Sequence, residues 1–546
     1  MKSNFKPPET FNVDVLVVGG GGAGLRAAIE AKETAPNLKV LVVSKVQAGF
    51  GNTVVAEGYL NVPCLGDEKD SPEIFARDII TAGRQVNNPK LVKIFTEEAK
   101  NLVQDLKRLG VKFNEKNGKP VLMTIPGHSY PRTVSTVGMG RGLTQPLYNY
   151  ALNLGVQFKD RVLITKILRN DKKVIGAIGV DREGKIYVFN AKSIVLATGG
   201  AGWMYARSNN PGGMTGDGYA LAYDLGLPLV GMEFVQFYPT YVFEKGVRVL
   251  VIYEKLVVQG ATLRNSLGED VIAKRGLTPS KVTRDVLSRI LMTEILEGHG
   301  KDGLIELDLT TLNRKAVEDY LQVLSKRGFP VKKERVKVSP AAHFFMGGIK
   351  IDESCQTGLE GLYAVGEVVG GIHGANRLGG NALSEVFIFG RIAGKNAASK
   401  ALEEELVEIE KEKISVEVER LEEILNQPGK ESLVEVQQKL RETMWYKVGI
   451  VRNEESLNEA LNELKTIEER IKNVRIENFF DLVRLLEIEN MIKVGSVVSI
   501  AALHRKESRG SHYRTDYPEE EKGWIKNIII LQKNGKTTIS TEDIPT

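Results

Sequence analysis

Gly19, Gly21 and Gly24 stand in a G-x-G-x-x-G spacing directly after the apolar run VDVLVV (13–18) and directly before LRAAIEAKE, a stretch of good helix formers. In a strand–turn–helix setting the first glycine allows the tight turn. The second lets backbone approach a pyrophosphate, and the third lets helix and strand pack closely. The helix N-terminus then offers amide donors and partial positive charge to phosphates. The context predicts a dinucleotide site, which an isolated glycine motif would not. The next strand, KVLVVSK (39–45), ends at Ser44 and Lys45. NAD-binding chains carry an acidic residue there; a hydroxyl can still hold a ribose, so the dinucleotide is expected to be something other than NAD.

Two more strand-like runs end in glycine. They are SIVLATGG (193–200), bringing Ala197, Thr198 and Gly199, and GLYAVGE (361–367), bringing Glu367. Nucleotides collect at the C-terminal ends of strands in α/β sheets. Glu367 is placed either on a ribityl or ribose hydroxyl or as the cap of a following helix. Asp217, in TGDG (215–218), has the same two readings.

The elements that must position these groups form a doubly wound α/β sheet assembled from distant segments. The expected fold is a Rossmann-like dinucleotide-binding domain in two parts, 1–234 and 346–401, with an inserted α+β capping domain at 235–345. From 402 the composition turns charged, helical and heptad-like (EEELVEIEKEKISVEVERLEEIL), which predicts a helical C-terminal domain at 402–515. A solvated bundle face and a partner-binding coiled coil are both open readings of that run. Residues 516–546 are expected to form a tail with one short strand, NIIILQ, before a polar terminus.

The 546 residues are 42% hydrophobic and 26% charged, an ordinary globular balance for a chain that needs no disulfide staples. Cys64 and Cys355 are its two cysteines, too few and too far apart for an iron–sulfur cluster or structural zinc within the chain, so no metal is expected. The formal charge of +5 comes with no basic block interleaved with aromatics, which argues against a nucleic-acid partner. No apolar run reaches the ~20 residues of a membrane-spanning helix. The start, MKSNFKPPETFN, lacks the apolar core of a signal peptide. A cytoplasmic location is expected, with peripheral membrane attachment through partner subunits left open.

The segments GGGGAGLRAA, NTVVAEG, ATGG, TGDGYALAYDLG, MEFVQFYPT, TRDVLSR, HFFMGGI, YAVGEVVGGIHGANRLGGNAL and ESRGSHYRTDYP follow one another in that order. Together, over about 12–520, the chain resembles the flavoprotein subunits of succinate dehydrogenase and fumarate reductase, a family that includes L-aspartate oxidase. The resemblance implies FAD, held by Gly22, Ala23, Asn52, Thr53, Ala56, Glu57, Gly58 and Asn381 as well as the residues above. Backbone amides of Ala382 and Leu383 would face the flavin pyrimidine edge. It implies hydride exchange between flavin N5 and a C4 dicarboxylate, with Arg284 as proton donor or acceptor and His343 and Arg377 holding a carboxylate. Planar cationic donors suit that task.

Three departures bear on this. Tyr238 stands where the family's QFHPT has histidine. Where the family has TEGxRGEGG, this chain reads YEKLVVQGA, keeping Glu254 at the acid position but placing Val257 at that of the relay arginine. Asn52 occupies the position of the histidine that links FAD covalently in membrane-bound members, so the FAD is expected to be non-covalent. PGHSYPR (126–132) resembles a stretch of the aspartate oxidases, but Ile125 and Pro126 fill the region of their substrate-amine glutamate. His128 and Arg132 are read either as substitutes for the cation missing at Tyr238 or as surface residues. The alternatives are an L-aspartate oxidase-like enzyme, an adenylylsulfate-reductase-like relative with another acidic substrate, and an electron-transfer flavoprotein subunit. With no cluster of its own, a respiratory-type member needs a separate iron–sulfur subunit.

Overall fold

The computed structural model describes residues 5–244, 247, 249–278 and 282–545, and for Glu254 the backbone alone. The strand predicted at 13–18 runs over Lys6–Val18, and its apolar end is buried on both faces, as a central parallel strand requires. It pairs in parallel with Val40–Ser44 on one side and Lys185–Leu196 on the other. Gln157–Asp160 extends the first edge, and Leu362–Ala364 joins Lys185–Leu196 in parallel. An antiparallel excursion, Val162–Asn170 with Lys173–Asp181, completes seven strands among the described residues.

Two helices are laid against each other by small residues. Gly22–Thr34 follows the glycine turn and Asn381–Glu403 follows Gly380. A Cβ on Gly394 would lie 2.2 Å from the Ala27 carbonyl oxygen, so the backbones touch. This approach brings both helix N-termini to one place, the ends of the central strands.

A second apolar core, from Val242 to Val338, is separate from the first. Its strands run in the order Val235–Val242, Arg335–Phe345, Ile305–Asp308 and Thr262–Arg264, and Arg284–Leu296 packs over them. The chain leaves and returns on paired antiparallel strands, with Val242 opposite Val338 and Tyr238 opposite Ala341.

The charged run after 402 is not one continuous heptad helix. The helix from Asn381 stops at Glu403 and a new one spans Lys411–Leu425. Between them Ile409 donates its amide to Asn190 Oδ1 at 2.9 Å. Ile409 and Leu421 are buried against Val180 and Leu482, so this segment is clamped to the body sheet. Helices Leu433–Lys447, Glu454–Ile471 and Phe479–His504 follow. The final polar stretch is no loose terminus. Lys526–Lys533 forms a hairpin with Lys536–Asp543 and pairs with Leu229–Val230 of the body. No described helix is long and apolar enough to cross a membrane.

Candidate active site

The strand ends, the two helix N-termini and the inserted domain enclose a cavity of about 1230 Å³. That is larger than an ordinary small-ligand pocket and leaves room for a dinucleotide beside a small substrate. The glycine turn forms one wall. A Cβ on Gly24 would sit 1.8 Å from the Gly19 carbonyl oxygen, and one on Gly19 2.2 Å from that of Ala197. Gly21 differs: a Cβ there would meet no protein atom within 4 Å, and the residue lines the cavity. The protein itself therefore leaves space here, at a helix N-terminus whose amides could serve a pyrophosphate.

Lys45 lies at the neighbouring wall. Its Nζ is 2.7 Å from Asp217 Oδ2 and 2.8 Å from Glu487 Oε1, and it donates to Thr215 Oγ1 at 2.6 Å. Burial pulls its pKa down, but the two carboxylates outweigh that and hold it above the ordinary lysine value. Glu487 comes from the long C-terminal helix and was invisible to motif reading.

Glu367 is buried on the cavity wall. It accepts from the Asn52 side-chain amide at 2.7 Å and the Phe345 backbone amide at 3.1 Å. Burial dominates these donors and pushes its pKa up to about 7. It caps no helix through its side chain. Opposite, the helix opening at Asn381 has no side-chain N-cap; Gly380 precedes it at φ 82°, and Ala382 and Leu383 line the cavity. Uncapped first-turn amides are donors in search of an acceptor.

Arg284, His343 and Arg377 all line the same cavity, although they come from three distant segments. Arg377 is half-buried, with its guanidinium 4.6 Å over the Phe344 ring and Nη1 donating to Leu378 O at 3.1 Å. Its Nε has no hydrogen-bond partner among the described residues. Burial lowers its pKa to about 10, still cationic at neutral pH. The Arg284 guanidinium sits 5.0 Å over the Tyr238 ring, which meets the His343 ring edge-on at 5.7 Å. Burial, then Arg377 and Arg284, lower the His343 pKa to about 3. The imidazole is therefore neutral, a hydrogen-bond donor without charge.

Three expected cofactor contacts stand behind the wall. Gly24 packs on Gly19, and a Cβ on Gly58 would meet Thr136 and Met139. Asn381 is buried, accepting from the Asn61 side-chain amide at 2.6 Å. The remaining expected contacts, including Gly22, Ala23, Ser44, Thr53, Ala56, Ala197, Thr198 and Gly199, are on the lining. Glu57 also lines it, but its carboxylate is engaged by Arg327 of the inserted domain, with Nη2 to Oε2 at 2.6 Å.

His128 and Arg132 are neither surface residues nor substitute cations. Arg132 is fully buried and paired with Asp70 and Asp78, each at 2.6 Å. Burial lowers the His128 pKa to about 4, and its Nε2 lies 3.2 Å from Gly379 O. Together they brace the loop beside the cavity. Val257 packs against the inserted domain's apolar core, and the Glu254 side chain lies outside the described residues. Sequence reading also passed over Asn209 and Asn210, both on the lining. The signal was the polar SNNPGG loop just before TGDG.

The profile of the FAD binding domain matches residues 14–383, and that of the fumarate reductase flavoprotein C-terminus matches 437–546. An uncharacterized FAD-dependent oxidoreductase of Methanocaldococcus jannaschii is 38% identical, covering 96% of this chain and 97% of its own. One subunit of the fumarate reductase (CoM/CoB) of Methanothermobacter marburgensis is 36% identical, covering 96% and 98%. A point mutant of FrdA from the E. coli quinol fumarate reductase superposes with a TM-score of 0.88 at 30% identity, over 98% of this chain and 97% of that one.

Proposed function

We propose, from the fact that this chain belongs to the succinate dehydrogenase and fumarate reductase flavoprotein family and is an FAD-dependent oxidoreductase, that it interconverts an unsaturated and a saturated C4 dicarboxylate as the catalytic component of a larger enzyme. The observation that carries this reading is the Arg377 guanidinium, cationic and with a buried Nε short of an acceptor, on the wall of a cavity shared with Arg284 and His343. A buried donor left unmet is costly, and a carboxylate would satisfy it.

The lining fits FAD: Gly21 and the helix behind it suit the pyrophosphate, Glu367 a ribityl hydroxyl, and the Ala382 and Leu383 amides the pyrimidine edge. Bound flavin supplies hydride acceptance and donation at N5. Arg377 and neutral His343 hold one substrate carboxylate and draw electron density toward it. Arg284 stands across from them as the proton donor at the neighbouring carbon. An arginine cannot remain neutral alone, so its proton must be restored from a neighbour. Tyr238, beneath Arg284, takes a histidine's place as an uncharged donor.

Enzyme whose flavin has been reduced chemically under anaerobic conditions should be reoxidised on adding fumarate. No response to fumarate, with a rapid response to iminoaspartate or adenylylsulfate, would overturn the dicarboxylate reading. The cofactor is proposed to be non-covalent, because Asn52 has an amide where a linking imidazole would be needed and spends it on Glu367. Acid precipitation should leave a colourless pellet and a yellow supernatant; a yellow pellet refutes this. The two cysteines cannot ligate a cluster, so electrons would reach the flavin through a separate iron–sulfur subunit. Purification from native cells should bring that cysteine-rich chain along; a lone chain that reduces oxygen with aspartate refutes it.

A further inference from the structure

His343 is neutral, so what it offers a ligand depends on which ring nitrogen carries the proton. Its Nδ1 faces Asn209, with Nδ2 at 2.9 Å and Oδ1 at 3.2 Å. Taken alone, that amide could present either atom. The neighbouring Asn210 removes the ambiguity. Its Nδ2 lies 3.0 Å from the His343 backbone carbonyl oxygen, which only accepts, and 3.1 Å from Asn209 Oδ1. Its Oδ1 accepts from Asn52 Nδ2 at 3.4 Å, and Asn52 is itself turned by the Glu367 carboxylate. Reversing Asn210 would set its oxygen against the His343 carbonyl and its N–H groups against those of Asn52. The side chain is also wedged on Gly202, where a Cβ would lie 2.2 Å from Asn210 Oδ1.

With Asn210 fixed, Asn209 Oδ1 accepts from it, which sets the Asn209 amide the right way round, and the shorter of its two contacts with the ring, Nδ2 at 2.9 Å against Oδ1 at 3.2 Å, makes Asn209 the donor to His343 Nδ1. That nitrogen must then be bare and the proton must be on Nε2. We infer that Asn209 is a positioning residue: through Asn210 and Asn52 it holds His343 as the Nε2–H tautomer, so that a neutral imidazole presents a donor to an anionic substrate. The substrate part rests on the dicarboxylate reading; the tautomer does not.

The test uses the flavin-loaded enzyme labelled with 15N-histidine. Its six histidines are sorted by the loss of one signal pair in His343→Gln. The His343 Nε2 should give a pyrrole-type resonance and Nδ1 a pyridine-type one, unchanged from about pH 6 to pH 9. In Asn209→Asp the new carboxylate would accept from Nδ1–H and reverse the pattern. Turnover of fumarate should then fall roughly 100-fold near pH 8 and recover on acidification, as protonation restores an Nε2–H. Arg377, Arg284 and the Tyr238 phenol face the ring, and Glu367 titrates at the far end of the chain in both proteins. The difference between the two profiles is therefore the readout. A pyridine-type Nε2 in the wild type, or an unchanged pattern and pH profile in Asn209→Asp, overturns the inference. The expected tautomer in an enzyme that ignores fumarate would sink the dicarboxylate reading alone.

Discussion

Replacing Arg377 with alanine should reduce kcat/KM for the dicarboxylate by a hundred- to thousand-fold, about 3–4 kcal/mol, while flavin content stays near that of the wild type. The guanidinium lies on the cavity wall beside Phe344, and among the described residues its hydrogen bond runs from Nη1 to the adjacent Leu378 carbonyl. The backbone at this point is secured by other means, since Gln236 Nε2 donates to Arg377 O at 2.9 Å. The loss should therefore fall on substrate and transition state and spare the fold. Lysine at 377 should recover little, because a point charge does not reproduce the planar fork of guanidinium donors. Steady-state kinetics together with flavin quantification decide the matter. A variant with near-normal activity would remove Arg377 from the site.

Gly21→Val should give a folded, soluble protein that has lost its yellow colour. A Cβ at 21 meets no protein atom within 4 Å, so the apoprotein has no reason to rearrange. The added branch instead fills the space through which the pyrophosphate reaches the helix amides. Losing two or three charge-assisted hydrogen bonds at about 1.5–3 kcal/mol each should weaken FAD binding by a factor on the order of 100 or more. Gly24→Ala is the contrasting case, with its Cβ 1.8 Å from the Gly19 carbonyl oxygen. It should damage folding as well as binding. Thermal unfolding of the two apoproteins beside a flavin titration separates them. Equal flavin affinity in Gly21→Val and wild type would refute the assignment.

The glycine turns were legible in the sequence because close backbone approach tolerates a single residue type, and that demand is local. The parallel strands were legible because burial on both faces leaves an unbroken apolar run, as in Val40–Ser44. Which side chains face the cavity was far less legible. Asn381 belongs to a motif whose neighbours Ala382 and Leu383 reach the lining, yet a helical step turns it toward Asn61. Arg132 carried the right charge, but its partners Asp70 and Asp78 lie 62 and 54 residues away, and only the fold shows that they consume it. The pairing of Glu57 with Arg327, 270 residues apart, is of the same kind. The charged run after 402 is helical over Lys411–Leu425, but that Ile409 and Leu421 anchor it to the sheet depends on partners far away in the chain and was not legible.

The proposed catalytic set is divided between two apolar cores. Arg377 is held by the main one, His343 sits at its end of the returning strand, and Arg284 opens a helix that belongs to the inserted one. A strand pair and the Glu57–Arg327 contact help to hold the halves in register. Under the proposed roles, proton source and carboxylate anchor therefore come from different cores. The distance between them is set by where the chain was interrupted as much as by the shape of the pocket.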